Sequence, residues 1–207
     1  MPQDSHDFSS LFSAYRIPDP EAFATNILRA FEQGSAALAQ LAERPDAKLG
    51  PYTPASEFSA ATETLTALVR KWLADPVKLS EAQAEFFRQF AALWNNVLTR
   101  MMNKDVPPLI APAPGDQRFK DPEWTYNPFF DFCKQAYLLA CRWAEDQLAS
   151  TPGLDAMERH RAEFYLKQLT SAYSPTNFPV TNPEVLRETL ASNAENLLKG
   201  ANLLAED

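Results

Sequence analysis

Apolar residues recur along this chain at intervals of three and four, in separate runs, the spacing of helices that each cover one face. Phe23, Ile27, Phe31, Leu38 and Leu41 form one run. Asp19-Pro20-Glu21 opens it as N-cap, proline and acidic first turn, which predicts a helix over 19–44. Phe58, Ala61, Leu65, Leu68, Val69 and Trp72 predict a second over 56–74, stopped by Asp75-Pro76. Ser80 with Gln83 reads as a capping box for a third, over 80–103. Its stripe is Phe86, Phe87, Phe90, Leu93, Trp94, Val97, Leu98, Met101 and Met102.

The second half repeats the pattern with clearer boundaries. Asn127 can accept a hydrogen bond from an orphan amide and Pro128 suits the first helical position, so a helix is predicted over 128–150, ended by Thr151-Pro152-Gly153. Phe129, Phe132, Cys133, Ala136, Leu139, Ala140 and Trp143 share one face of it. Asp131, Lys134, Gln135, Arg142, Glu145 and Asp146 gather on another, which Leu138 interrupts. Asp155 caps a helix over 155–173 with Met157, Phe164, Tyr165, Leu169, Ala172 and Tyr173 as its apolar positions. Asn182-Pro183-Glu184 starts the last, over 183–206, and a helix running almost to the final residue suggests an interrupted chain.

Between the halves, Pro107, Pro108, Pro112 and Pro114 resist both helix and strand and predict a semi-rigid spacer near 106–115. The expected organisation is a helical part at 1–105, which the resemblance given below implies is the variable one, with a mobile arm at 1–17, then a linker and lead-in at 106–126, then a helical part at 127–207. Phe119 and Trp124 of the lead-in are expected to fold back on the helix that follows.

Composition narrows the fold and the partners. Seventeen prolines against five glycines suit helices with proline-marked connections better than glycine-dependent hairpins, so the fold class is all-α, a bundle of about six helices. A net charge of −8 without clustered lysine and arginine argues against nucleic acid and anionic membrane surfaces. No apolar run approaches the roughly 18 residues of a spanning helix, and the first residues lack the pattern of a secretory signal, so a cytoplasmic protein is expected.

Candidate chemistry is sparse. Cys133 and Cys141 lie on one predicted helix, about 12 Å apart along its axis, too far for a disulfide and without the strained turn that presents a nucleophile. They read as packing thiols. His6 falls in the arm and His160 beside an apolar helical face, with no metal-ligand spacing around it. Glycine-rich phosphate loops are absent. No catalytic, cofactor-binding or metal residues are assigned, and a small enzyme built on Cys141 or His160 is the least favoured reading.

Four segments carry a resemblance. Asp116-Gln117-Arg118-Phe119 with Asp121-Pro122-Glu123-Trp124, the run Asn127 to Trp143, Ser174-Pro175-Thr176-Asn177-Phe178, and Thr181-Asn182-Pro183-Glu184-Val185-Leu186-Arg187 through Glu195-Asn196-Leu197 stand in order. Together they resemble the N-terminal region of the class I polyhydroxyalkanoate synthases, which join (R)-3-hydroxyacyl-CoA thioesters into polyester and release CoA. The resemblance places catalysis in a C-terminal α/β-hydrolase domain, whose cysteine box G-x-C-x-G nothing here matches. It implies a non-catalytic N-terminal domain, at cytoplasmic polyhydroxyalkanoate granules, that serves dimerisation, granule attachment and partner binding. The implied partners are the catalytic domain in cis, a second synthase protomer, and the polymer surface or phasin-like proteins. Phe86, Phe90, Trp94, Met101 and Leu138 are the expected interaction residues. A stand-alone phasin-like granule-surface protein is the alternative.

Overall fold

The computed structural model describes residues 14–43, 54–102 and 106–206, and no strand occurs among them. The helices are α1 (Pro20–Glu43), α2 (Pro54–Leu73), α3 (Pro76–Met102), the single turn α4 (Glu123–Tyr126), α5 (Pro128–Ser150), α6 (Ala156–Ala172), α7 (Pro183–Ala191) and α8 (Glu195–Glu206). The all-α expectation holds. The chain divides into two compact units, one drawn from 1–48 and 182–207, the other from 49–181. Most of the arm expected at 1–17, including His6, lies outside the described residues.

In the 49–181 unit, α5 is the central element. Asn127 accepts the Phe129 amide at 3.1 Å and Pro128 occupies the first turn, as the sequence predicts. Its far end stops at Thr151 in extended conformation, followed by Gly153 at φ +68°, a left-handed backbone that glycine adopts without the Cβ clash. The Arg159 guanidinium donates to the carbonyls of Leu148, Ala149 and Thr151, so carbonyls that have no helical partner are satisfied. Asp155 and Glu158 form the full capping box of α6.

Two apolar clusters line α5. Leu93 and Val97 of α3 pack on Leu139, bordered by Phe86, Phe90, Phe132 and Ala136. Leu68 of α2, Leu148, and Ala162 and Leu166 of α6 form the other, bordered by Trp72, Ala144 and Leu154. Rings from different helices join along this line: Phe86 to Trp143 at 5.6 Å, Trp72 to Trp143 at 6.2 Å, Phe90 to Phe132 at 5.8 Å. Each buried large apolar side chain contributes roughly 1.5–3 kcal/mol. Trp72 also donates its indole N–H to Thr151 at 2.7 Å, tying α2 to the end of α5.

The polar face expected on α5 is not a solvated face. Asp131, Lys134 and Gln135 are 2%, 4% and 0% exposed, because a second layer covers them. Asp131 Oδ2 accepts from Arg100 Nε and from Gln135 Nε2, both at 3.0 Å. Its Oδ1 takes no directed hydrogen bond and is compensated by Lys134 Nζ, 3.0 Å away. Lys134 also donates to Trp124 O at 2.5 Å, Gln135 accepts the Ile110 amide at 3.1 Å, and Arg100 donates to the Val106 carbonyl. Periodicity reports polarity and not burial, and a fully paired charge cluster looks like a surface when only its residue types are read.

The same contacts bear on the proline-rich stretch. Residues 106–115 lie inside the 49–181 unit, with Pro107 O accepting from Asn96 and Ile110 buried against α5, while α3 from before the stretch packs directly on α5. The prolines set a course along α5 instead of holding two parts apart. Phe119 and Trp124 do fold back on α5: Trp124 is 1% exposed, with Phe119 edge-on at 5.0 Å and Phe130 at 5.8 Å.

Two helix ends differ from their sequence expectation. Asp75-Pro76 begins α3 as well as following α2, since Asp75 Oδ1 accepts the Lys78 amide at 3.1 Å and its carbonyl takes the Leu79 amide. Ser80 is therefore inside the helix, its hydroxyl donating back to Val77 O at 2.8 Å. In the other unit, the helix expected over 183–206 breaks at Asn193 and Ala194, which sit at φ 50° and 65°. Asn193 repays that conformation with contacts to α1: its Oδ1 accepts the Asp19 amide at 3.0 Å, and its carbonyl accepts from Asn26 at 2.9 Å. Asp19 in turn caps α1 through the Glu21 and Ala22 amides.

Asp131→Ala strands two buried cations and is expected to lower stability by about 3–5 kcal/mol in urea unfolding. A loss below about 1 kcal/mol, the scale of an exposed pair, would show that the cluster is solvated. Asn193→Val combines a β-branched residue at positive φ with loss of the Asp19 contact. It is expected to cost about 1–3 kcal/mol in the same assay, and an unchanged midpoint would rule out the kink.

Candidate functional site

The nucleophile candidates are placed unlike catalytic groups. Cys133 and Cys141 are half-buried and unpaired in disulfides, and burial raises the thiol pKa of both. Cys141 is hydrogen-bonded to Tyr137 and lies on the wall of an open recess of about 820 Å³ with Ile110, Arg118, Leu138 and Lys167. A raised pKa keeps both groups protonated near neutrality, the reverse of an activated nucleophile. His160 is exposed on α6. Among the described residues, no group of three or more His, Cys, Asp or Glu could hold a metal ion.

The recess wall is built as structure. Asp116 grips Arg118 through Nε at 2.9 Å and a terminal nitrogen at 2.8 Å, and this contact holds the Asp116 carboxyl below the usual carboxylate range. The guanidinium lies about 5.4 Å from the Phe119 centroid and 5.5 Å from that of Tyr137. It donates to the Tyr137 hydroxyl at 2.8 Å, which donates on to Thr170 O at 3.0 Å. Arg118 is thus occupied by a carboxylate, a hydroxyl and two rings. The Asp116–Phe119 segment is fixed to α5 and α6 by this chain.

The expected interaction residues fall in three environments. Phe86 and Phe90 are half-buried in the aromatic row over α5. Trp94 and Met101 are about half exposed on α3, at 51% and 47%, with the Trp94 ring edge-on to Phe132 at 5.2 Å. Leu138 is half-buried on the recess wall, away from the α3-facing side of α5. Trp94 and Met101 have further exposed company that the sequence reading did not single out: Val77, Phe87 and Leu98. The available signal was the spacing 87, 94, 101, a repeat of seven within a stripe otherwise read at 3.6.

Among the described residues, no helix is long and apolar enough to cross a membrane. The geometry offers a continuous outward apolar ridge along α3, from Val77 through Phe87, Trp94 and Leu98 to Met101, while α6 exposes Met157, Phe164 and Tyr173 at wider spacing.

Comparison with known proteins assigns this arrangement. Residues 115–207 match the family described as poly-β-hydroxybutyrate polymerase (PhaC) N-terminus. Over 199 residues, 92% of this chain, the sequence is 44% identical to a poly(3-hydroxyalkanoate) polymerase of Methylorubrum extorquens, of which it covers 33%. A poly(3-hydroxyalkanoate) polymerase subunit of Rhizobium meliloti is 43% identical over 93% of the chain, with 32% of the relative covered. The corresponding subunit of Cupriavidus necator is 33% identical over 132 residues. No solved structure matches. The chain spans about a third of the length of the first two relatives, and the relatives are polymerases, which sets aside the phasin-like alternative. Residues 115–207 belong to the family of poly-β-hydroxybutyrate polymerase N-termini, and the chain as a whole corresponds to the N-terminal part of the poly(3-hydroxyalkanoate) polymerases it matches.

Proposed function

We propose that this chain acts as a non-catalytic assembly domain of a polyhydroxyalkanoate synthase, bringing synthase protomers together and attaching them to the polymer granule in the cytoplasm. Chemistry on (R)-3-hydroxyacyl-CoA, with release of CoA, belongs in this reading to the region of the relatives that the chain does not span. The observation that carries it is the pairing of inert thiols with an outward apolar ridge on a well-braced helical unit. Burial raises both cysteines, and Phe87, Trp94, Leu98 and Met101 stay exposed on α3. The partners are a second protomer, the catalytic domain in cis, and the polymer surface or proteins coating it.

Purified 207-residue chain is expected to release no CoA from 3-hydroxybutyryl-CoA in a thiol-release assay, and turnover would overturn the assignment. Cys133 and Cys141 are expected to react with iodoacetamide at pH 7 at least about tenfold more slowly in the folded chain than in urea, because raised pKa lowers the thiolate fraction. Mass-spectrometric rates equal in both states would show that burial does not shift the thiols, and faster reaction in the folded chain would show an activated thiol.

A further inference from the structure

The ridge on α3 has a regular pattern. Val77, Ser80, Ala84, Phe87, Ala91, Trp94, Leu98 and Met101 alternate steps of three and four, the a and d positions of a heptad, and every one of them is exposed. The residues that face the core, Leu93 and Val97 with Phe86 and Phe90 beside them, occupy other positions. A 3.5-residue seam on the outward side of a helix already packed on its inward side is a coiled-coil surface without its partner. Its flank carries Glu81, Arg88 and Asn95, a polar rim beside an apolar strip.

The sizes along the seam identify the partner. Large residues (Phe87, Trp94, Leu98, Met101) are interrupted by Ala84 and Ala91, which leave holes one side chain deep. A lipid-like or polymer surface has no knobs to fill such holes, and an interfacial helix would carry more lysine and arginine on its flank. An antiparallel copy of the same helix fills them. With the two-fold axis level with the Ala92–Leu93 peptide, a positions meet d positions. Ala84 then faces the partner's Met101, Ala91 faces the partner's Trp94, and Leu98 faces the partner's Phe87, each layer occurring twice. In this register Arg88 lies near the partner's Asn95, so no like charges oppose. A parallel in-register pair would instead stack Ala84 on its own copy and Trp94 on its own copy, leaving gaps beside crowded layers.

We propose that α3 pairs with α3 of a second copy of this chain, antiparallel, through six layers spanning residues 84 to 101. The inference rests on the assembly reading and names its contact. The interface is isologous, as a two-fold axis requires, and its centre places tryptophan in an alanine-lined hole, the kind of buried aromatic anchor that dominates association energy.

Two measurements on the full 207-residue chain decide it. Sedimentation velocity across a concentration series is expected to show a monomer–dimer equilibrium, weakened about tenfold or more by Trp94→Ala, and equally by Leu98→Asp at a site away from the Phe132 contact. Oxidative cross-linking distinguishes the orientation. A mass-tagged Ala84→Cys chain mixed with a Met101→Cys chain is expected to form the disulfide heterodimer in at least about tenfold excess over either homodimer. The native chain serves as control for Cys133 and Cys141. A chain that stays monomeric, or variants that cross-link with themselves as readily as with each other, would overturn the antiparallel seam. Self-cross-linking in a chain that still dimerises would leave the assembly reading intact on another surface, whereas a chain that stays monomeric would also remove protomer pairing from that reading; its non-catalytic part fails separately, on CoA release.

Discussion

The 49–181 unit depends on one buried carboxylate. Asp131 sits on the central helix and gathers Arg100 from α3, Lys134 and Gln135 from its own helix, and through them the backbone at Val106, Ile110 and Trp124. Burying four polar side chains in this way is tolerable only as a closed set, since each partner left alone would carry the desolvation cost of an unpaired charge or amide. Apolar contacts hold α3, α5 and α6 together, but the polar set decides where the irregular segment between α3 and α5 runs. It gives a proline-rich path with few backbone donors a fixed docking line.

That line has a consequence for the surface. The 106–126 side of α5 is covered by the docked segment and its other side by α3, and α3 in turn keeps a row of large apolar residues exposed on its back. The recess beside Arg118 is equally settled, because Asp116, Tyr137 and two aromatic faces occupy the guanidinium. Burial raises the pKa of both thiols, and the charged groups around Asp131 and Arg118 are paired within the unit.

Much of this was legible in the sequence. Asn127-Pro128, Asp155 with Glu158, and Asn182-Pro183 mark helix starts by residue types whose side chains have a single good local use, and all three are seen. The order of the segments around Asp116–Trp124 and Asn127–Trp143 carried the family. What periodicity could not show was burial. Asp131, Lys134 and Gln135 look like a solvated face because charge pairing across 31 residues, from Arg100 to Asp131, leaves no local signature. The break at Asn193 was hidden for a related reason: the apolar spacing of α7 continues into α8, and the hydrogen bonds from Asp19 and Asn26 that favour the kink come from residues more than 160 positions away. Leu138, which interrupts the polar face of α5 in the sequence, lines the recess beside Arg118 and Tyr137.

The organisation of the 49–181 unit turns on the docked path of residues 106–126, and the Ile110 amide reports on it directly. That N–H donates to the fully buried Gln135 side chain at 3.1 Å, outside any helix. Native-state hydrogen exchange followed by NMR is expected to show Ile110 protected to the same degree as the interior amides of α5, since both open only when the unit does. Exchange at Ile110 near the rate of an unstructured peptide, with α5 still protected, would mean that the proline-rich stretch swings free and that Asp131 does not organise the unit.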